Sequence, residues 1–190
     1  MSVGKVKISG GFVLLWAALL YIDAGRLLFP TWVCALLHEL GHVAALKLCG
    51  GSVEKWELGA AGVCVRITET AGMSYPKEIL CTLAGPLASF LCCLFFALRD
   101  DMIIYAGICA IQGLYNLLPV SVLDGGRVLR LVLMWKNKSE APARIAGTIT
   151  GLCLTAACVA AFAVSGYNPT LLLAGGYAVY GVVGDYHHRK

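Results

Sequence analysis

The sequence predicts an all-α polytopic membrane protein of about six transmembrane helices, with a small membrane-associated β-hairpin between helices 2 and 3. Three observations carry this. Of 190 residues, 59% are hydrophobic and 14% charged, with a mean hydropathy of +0.78; an ordinary soluble domain has roughly 45–50% and about 25%. Six apolar stretches approach the length that crosses a bilayer. The basic residues fall almost wholly on one side of those six. A soluble domain of this length could not bury so much apolar surface, and disorder is excluded for the same reason. Little chain is left over, so residues 1–190 are expected to form a single integral-membrane domain. Its core helices are placed at about 27–132 and its flanking helices at about 8–22, 145–165 and 169–183.

The first span, Ile8–Ile22, is short and follows Lys5 and Lys7. It ends Leu20-Tyr21-Ile22-Asp23 without a small-x-small cleavage site, so it reads as a retained span rather than a signal peptide. Leu27–Leu48, Ile79–Leu98, Met102–Leu123, Ile145–Ser165 and Pro169–Val183 follow as the second to sixth spans. Val128–Trp135 reads as a piece at the membrane surface or an extension of the fourth. Gly147, Gly151, Gly175, Gly176, Gly181 and Gly184, in and beside the last two spans, read as close helix contacts.

The longest polar stretch is Gly50–Pro76. Val53, Trp56 and Leu58, then Val63, Val65 and Ile67, alternate partially with polar residues, and Gly59 and Gly62 separate the halves. This predicts the hairpin over 52–70, an irregular loop being the alternative. Nine cysteines, most inside apolar runs and none in a CxxC pair, read as small apolar residues at helix contacts.

With six spans, the termini and the even-numbered loops share one side. That side carries thirteen of the fifteen Lys and Arg; Arg26 and Arg99 are on the other. Both termini are therefore expected in the cytoplasm of a multi-pass cell-membrane protein. No basic block with interleaved aromatics suggests a nucleic-acid partner.

Chemistry concentrates in His38-Glu39-Leu40-Gly41-His42. On a helix, His38 and His42 share one face and can hold one zinc ion, while Glu39 can serve as general base. An ionisable residue at membrane depth costs roughly 2.5–3.5 kcal/mol. Three polar side chains in five residues of an apolar span are therefore hard to explain as packing. A catalytic zinc usually has three protein ligands. Asp23, Asp100 and Asp101 belong to the external side, and Asp185 adjoins the polar tail. Asp124 ends the fourth span on the cytoplasmic side and is preferred to Asp185 as third ligand. It precedes Gly125 and Gly126, which permit an unusual backbone and close approach to a ligand. Upstream, Pro119 is expected to break the helix beside a hydrated pocket. Asn116 either hydrogen-bonds a substrate carbonyl or pins two helices together.

HELGH in one span and Asn116-Leu117-Leu118-Pro119-Val120-Ser121-Val122-Leu123-Asp124-Gly125-Gly126 ending another resemble the site-2 protease family of intramembrane zinc metalloproteases. Asn116, Pro119, Leu123, Asp124 and Gly125 fit that family's second motif. Ala84-Gly85-Pro86-Leu87-Ala88 resembles its small-Gly-Pro segment, with Ser89 where the family often has Asn. The resemblance covers about Leu27 to Val132, and six spans alone resemble the compact bacterial branch that includes the stage IV sporulation protease.

It implies a cytoplasm-proximal zinc on His38, His42 and Asp124, with Glu39 and Asn116 catalytic. It also implies a membrane-spanning protein substrate, cleaved within or near its transmembrane segment in the lipid bilayer. With no room for a regulatory module, regulation is expected from a membrane partner. Two other readings use the same residues: a membrane metal transporter, and a catalytically silent scaffold.

Overall fold

Helix α1, Leu28–Leu48, takes up the second expected span. The computed structural model describes residues 2–3, 6–8, 27–51, 53–59, 62–67, 73–164, 176 and 179. Pro30 sits in the first turn of α1, where its missing N–H has no helical partner to lose. The far end closes through Gly50, whose φ of 86° is left-handed. Gly50 N–H then donates to Lys47 O at 3.1 Å, and Gly51 N–H to Leu46 O at 2.9 Å. These two bonds satisfy carbonyls that the helix end would otherwise leave open.

Four strands form one sheet in the order β1 (Ser2–Val3), β2 (Val6–Ile8), β3 (Val53–Gly59) and β4 (Gly62–Ile67). β3 and β4 run antiparallel, Trp56 opposite Val65 and Gly59 opposite Gly62. β2 runs parallel to β3, Val6 opposite Trp56 and Ile8 opposite Leu58. The N-terminal strands were not anticipated from the sequence. Ile8, expected to open the first span, instead closes β2; the rest of that span lies outside the described residues. The signal was short: Lys5-Val6-Lys7-Ile8 alternates with period two.

Helix α2, Tyr75–Ala97, packs against α1. The two backbones approach closely because Gly41 faces α2. A Cβ there would come within 2.6 Å of both Ala84 O and Ala88 Cβ. Pro86 is buried inside α2. A 3₁₀ turn at Asp100–Met102 leads into α3, Ile103–Asn116. Tyr105 tilts against Phe96 with ring centroids 5.4 Å apart. The Cys34 thiol donates to Tyr105 O at 3.6 Å. Cys34, Cys49, Cys81, Cys92, Cys93, Cys109, Cys153 and Cys158 form no disulfide.

The chain falls into two compact units, Met1–Leu114 and Tyr115–Lys190. In the second, Leu117–Leu123 form a tight turn, followed by α4 (Asp124–Trp135) and α5 (Ala141–Val164). The fourth apolar stretch of the sequence runs on to Leu123. The helix stops at Asn116 instead, because Pro119 has no N–H to continue it and disfavours helix in the residue before it. Gly147 lets α5 approach this turn: a Cβ there would lie 2.9 Å from Pro119 O.

Helices α2 and α5 are long and apolar enough to cross a membrane. Leu87, Leu91, Leu94 and Phe95 of α2 are each more than half exposed, as are Ile145, Ile149, Leu152 and Val159 of α5. Apolar faces of this extent suit lipid rather than water. Of the sixth expected span, only Gly176 and Val179 are described, both helical.

Candidate metal centre

One turn of α1 separates His38 from His42, and the two imidazoles meet edge to face with centroids 4.9 Å apart. Their Nε2 atoms converge to 3.2 Å. Two nitrogens held about 2.0–2.1 Å from one tetrahedral zinc would stand roughly 3.3 Å apart, so this spacing suits a shared ion. The opposite ring nitrogens are both engaged by α2. His42 Nδ1–H donates to the Cys81 carbonyl at 2.9 Å, which makes Nε2 the ring nitrogen that carries the lone pair a metal needs. His38 Nδ1 lies 2.9 Å from Ser89 Oγ. His38 is 3% exposed and Ser89 fully buried.

Between those two anchors lies Gly85, buried on α2. A Cβ on Gly85 would strike His42 Nε2 and Cε1, and would come within 2.8 Å of His38 Nε2. Cys81, Gly85 and Ser89 are spaced four residues apart and form one stripe along α2. The stripe anchors both rings at its ends and leaves space for their Nε2 atoms at its centre. Two imidazoles aimed at one point, each held from behind, are donors suited to a divalent transition metal. Glu39 is half-buried on α1, next to His38.

Asn116 and Asp124 belong to the second unit. Asn116 is the last residue of α3, and Asp124 the first of α4; both are half-buried. Leu123 is extended before the helix begins, with φ −101° and ψ 162°. Asp124 thus sits at the positive end of the α4 dipole, a favourable place for a carboxylate. The glycines after it have a different reason from the one expected. Neither has a positive φ. A Cβ on Gly125 would strike Leu117 O, and one on Gly126 would strike Val120 O. They are small because the Leu117–Leu123 turn folds back onto the start of α4.

In the sequence Gly85 and Ser89 stand only as parts of a motif, without a role. The four-residue spacing of Cys81, Gly85 and Ser89 was the available signal, but it does not say which helix the stripe faces.

Residues 11–123 match the family model described as peptidase M50B-like. The chain belongs to that family. It is a metalloprotease, and its family is membrane-embedded and zinc-dependent. The transporter and scaffold readings are not favoured. Among solved structures, the fold of this peptidase is similar to that of the site-2 protease from Methanocaldococcus jannaschii, with a TM-score of 0.66 and 20% identity. That match covers 97% of this chain and 92% of the other. No curated protein matches the sequence.

Proposed function

We propose that this metalloprotease is an intramembrane endopeptidase. It hydrolyses peptide bonds within or near transmembrane segments of membrane-protein substrates, using one zinc ion per chain. The observation that carries the reading is the pair of Nε2 atoms 3.2 Å apart on an apolar helix of a peptidase-family chain. His38 and His42 supply two ligands and Asp124 the third, a donor set of two imidazoles and a carboxylate.

A zinc ion held by His38, His42 and Asp124 would supply Lewis-acid polarisation of the scissile carbonyl and make a water more acidic. Glu39 takes the proton of the attacking water and delivers it to the leaving nitrogen. The Asn116 amide donates a hydrogen bond to the carbonyl oxygen as negative charge develops on it. A helical substrate hides its carbonyls in its own hydrogen bonds, so it must unwind locally. β4 ends the sheet and touches α1. It offers an edge to which an extended substrate segment adds as a further strand. Both termini face the cytoplasm of a bacterial cell, and a membrane partner regulates access.

The test uses the full chain, co-reconstituted with single-span substrates. Glu39→Gln is expected to lower cleavage by about 10²–10⁴-fold while zinc content is kept. Unchanged cleavage by that variant overturns the mechanism. Asp124→Asn is expected to lower zinc occupancy; full occupancy would move the third ligand to Asp185.

A further inference from the structure

We propose that Ser89 is a positioning residue for the metal centre: its hydroxyl accepts from His38 Nδ1–H and thereby presents Nε2 to the metal. This rests on the metalloprotease reading above and adds a residue to it. Ser89 is fully buried, so water does not compete for the contact. Its Oγ stands 2.9 Å from His38 Nδ1, across the contact between two helices.

Three other hydroxyls on the helices behave differently. Thr82 Oγ1 donates to Glu78 O at 2.9 Å, Thr155 Oγ1 to Gly151 O at 2.8 Å and Thr31 Oγ1 to Leu27 O at 2.8 Å. Each satisfies itself on its own helix, four residues back, which is the ordinary use of a helical hydroxyl in an apolar setting. Ser89 reaches 51 residues away in sequence to an imidazole.

The two rings are thus held unequally. His42 leans on a backbone carbonyl, which no substitution at Cys81 removes. His38 leans on a side chain, so its orientation depends on one residue. The site has little room for alternatives: a Cβ on Gly113 would already lie 3.3 Å from Ser89 Cβ. A small residue with an oxygen fits there, and serine is one.

The experiment measures zinc affinity of the full chain in lipid nanodiscs, by competition with a chromophoric chelator. Parent, Ser89→Ala and Thr82→Ala are compared, with metal-free melting as the control for fold. Thr82→Ala removes a buried hydroxyl from the same helix without touching either histidine. Ser89→Ala is expected to weaken zinc by about 10–100-fold, the usual cost of losing a group that orients a ligand. Thr82→Ala is expected to bind as the parent does. Parent-like affinity in Ser89→Ala, or equal weakening in both variants, overturns the proposal. Should Ser89→Ala not fold, Ser89→Cys keeps the volume and weakens the acceptor, and the same two outcomes decide. A parent that binds no zinc would instead overturn the metal assignment itself, so the two failures are distinct.

Discussion

At His38 and His42 the covalent spacing and the tertiary contacts have separable effects. Four residues of helix bring the rings to one face; α2 then decides which nitrogen of each ring points inward. Gly85 matters because it adds nothing at the point where the Nε2 atoms converge. Gly85→Ala is therefore expected to displace an imidazole. Its zinc affinity should fall by at least the roughly 10–100-fold seen when a ligand's orientation is disturbed. Chelator competition measures this, with circular dichroism confirming unchanged helix content; parent-like zinc binding would show that the ring positions tolerate a methyl group. The HELGH spacing made the two histidines and Glu39 legible from sequence alone. Gly85 and Ser89 were not, because a residue's partner on another helix depends on how the two helices are rotated, which local spacing leaves open.

Among the elements, the contact of α1 with α2 sets the histidines against their anchors. Gly41 permits it, and its requirement is steric. Gly41→Leu should force the helices apart and cost about 1–3 kcal/mol, as overpacking does. It should weaken zinc as well, since both rings are held by α2. Gly107 on α3 is the contrasting case, for a Cβ there meets nothing within 4 Å. Gly107→Ala is expected to be neutral or to stabilise by up to about 0.5–1 kcal/mol through helix propensity. Unfolding in mixed micelles reads both variants; equal effects at the two glycines would contradict the steric account. Boundaries of α1, α2 and α5 were legible to within a few residues, because long apolar runs and helix-end signals are local. The end of α3 was less so: Pro119 marked a break, but its position three residues upstream follows from the whole Leu117–Leu123 turn.

For the whole molecule, the distribution of charge and exposed apolar surface argues for placement in lipid. The broad apolar faces of α2 and α5 need a non-aqueous surrounding. The thirteen-to-two division of basic residues gives the proposed orientation. An epitope inserted after Asp100 is expected to be reached by antibody from outside intact spheroplasts, and one following Lys190 only after permeabilisation. The reverse pattern would invert the topology. Chelation is expected to abolish cleavage, and added zinc to restore it. Cleavage that persists with zinc measured as absent would rule out the metal mechanism.

The sequence by itself determined the apolar character of the chain, the helical core, the His38–Glu39–His42 set and the break at Pro119. These are local in the chain: composition, periodicity and the fixed rise of a helix suffice to read them. Only the tertiary structure decided that β2 pairs parallel with β3, more than forty residues on. It likewise decided that Gly125 and Gly126 make room for a turn, and that Cys81 and Ser89 hold the two rings from behind. The strand pairing and the two ring anchors join segments distant in sequence, while the glycines meet a turn that folds back from six to eight residues upstream. Their partners are chosen by packing across the fold, which the spacing of residues along one helix or strand does not encode.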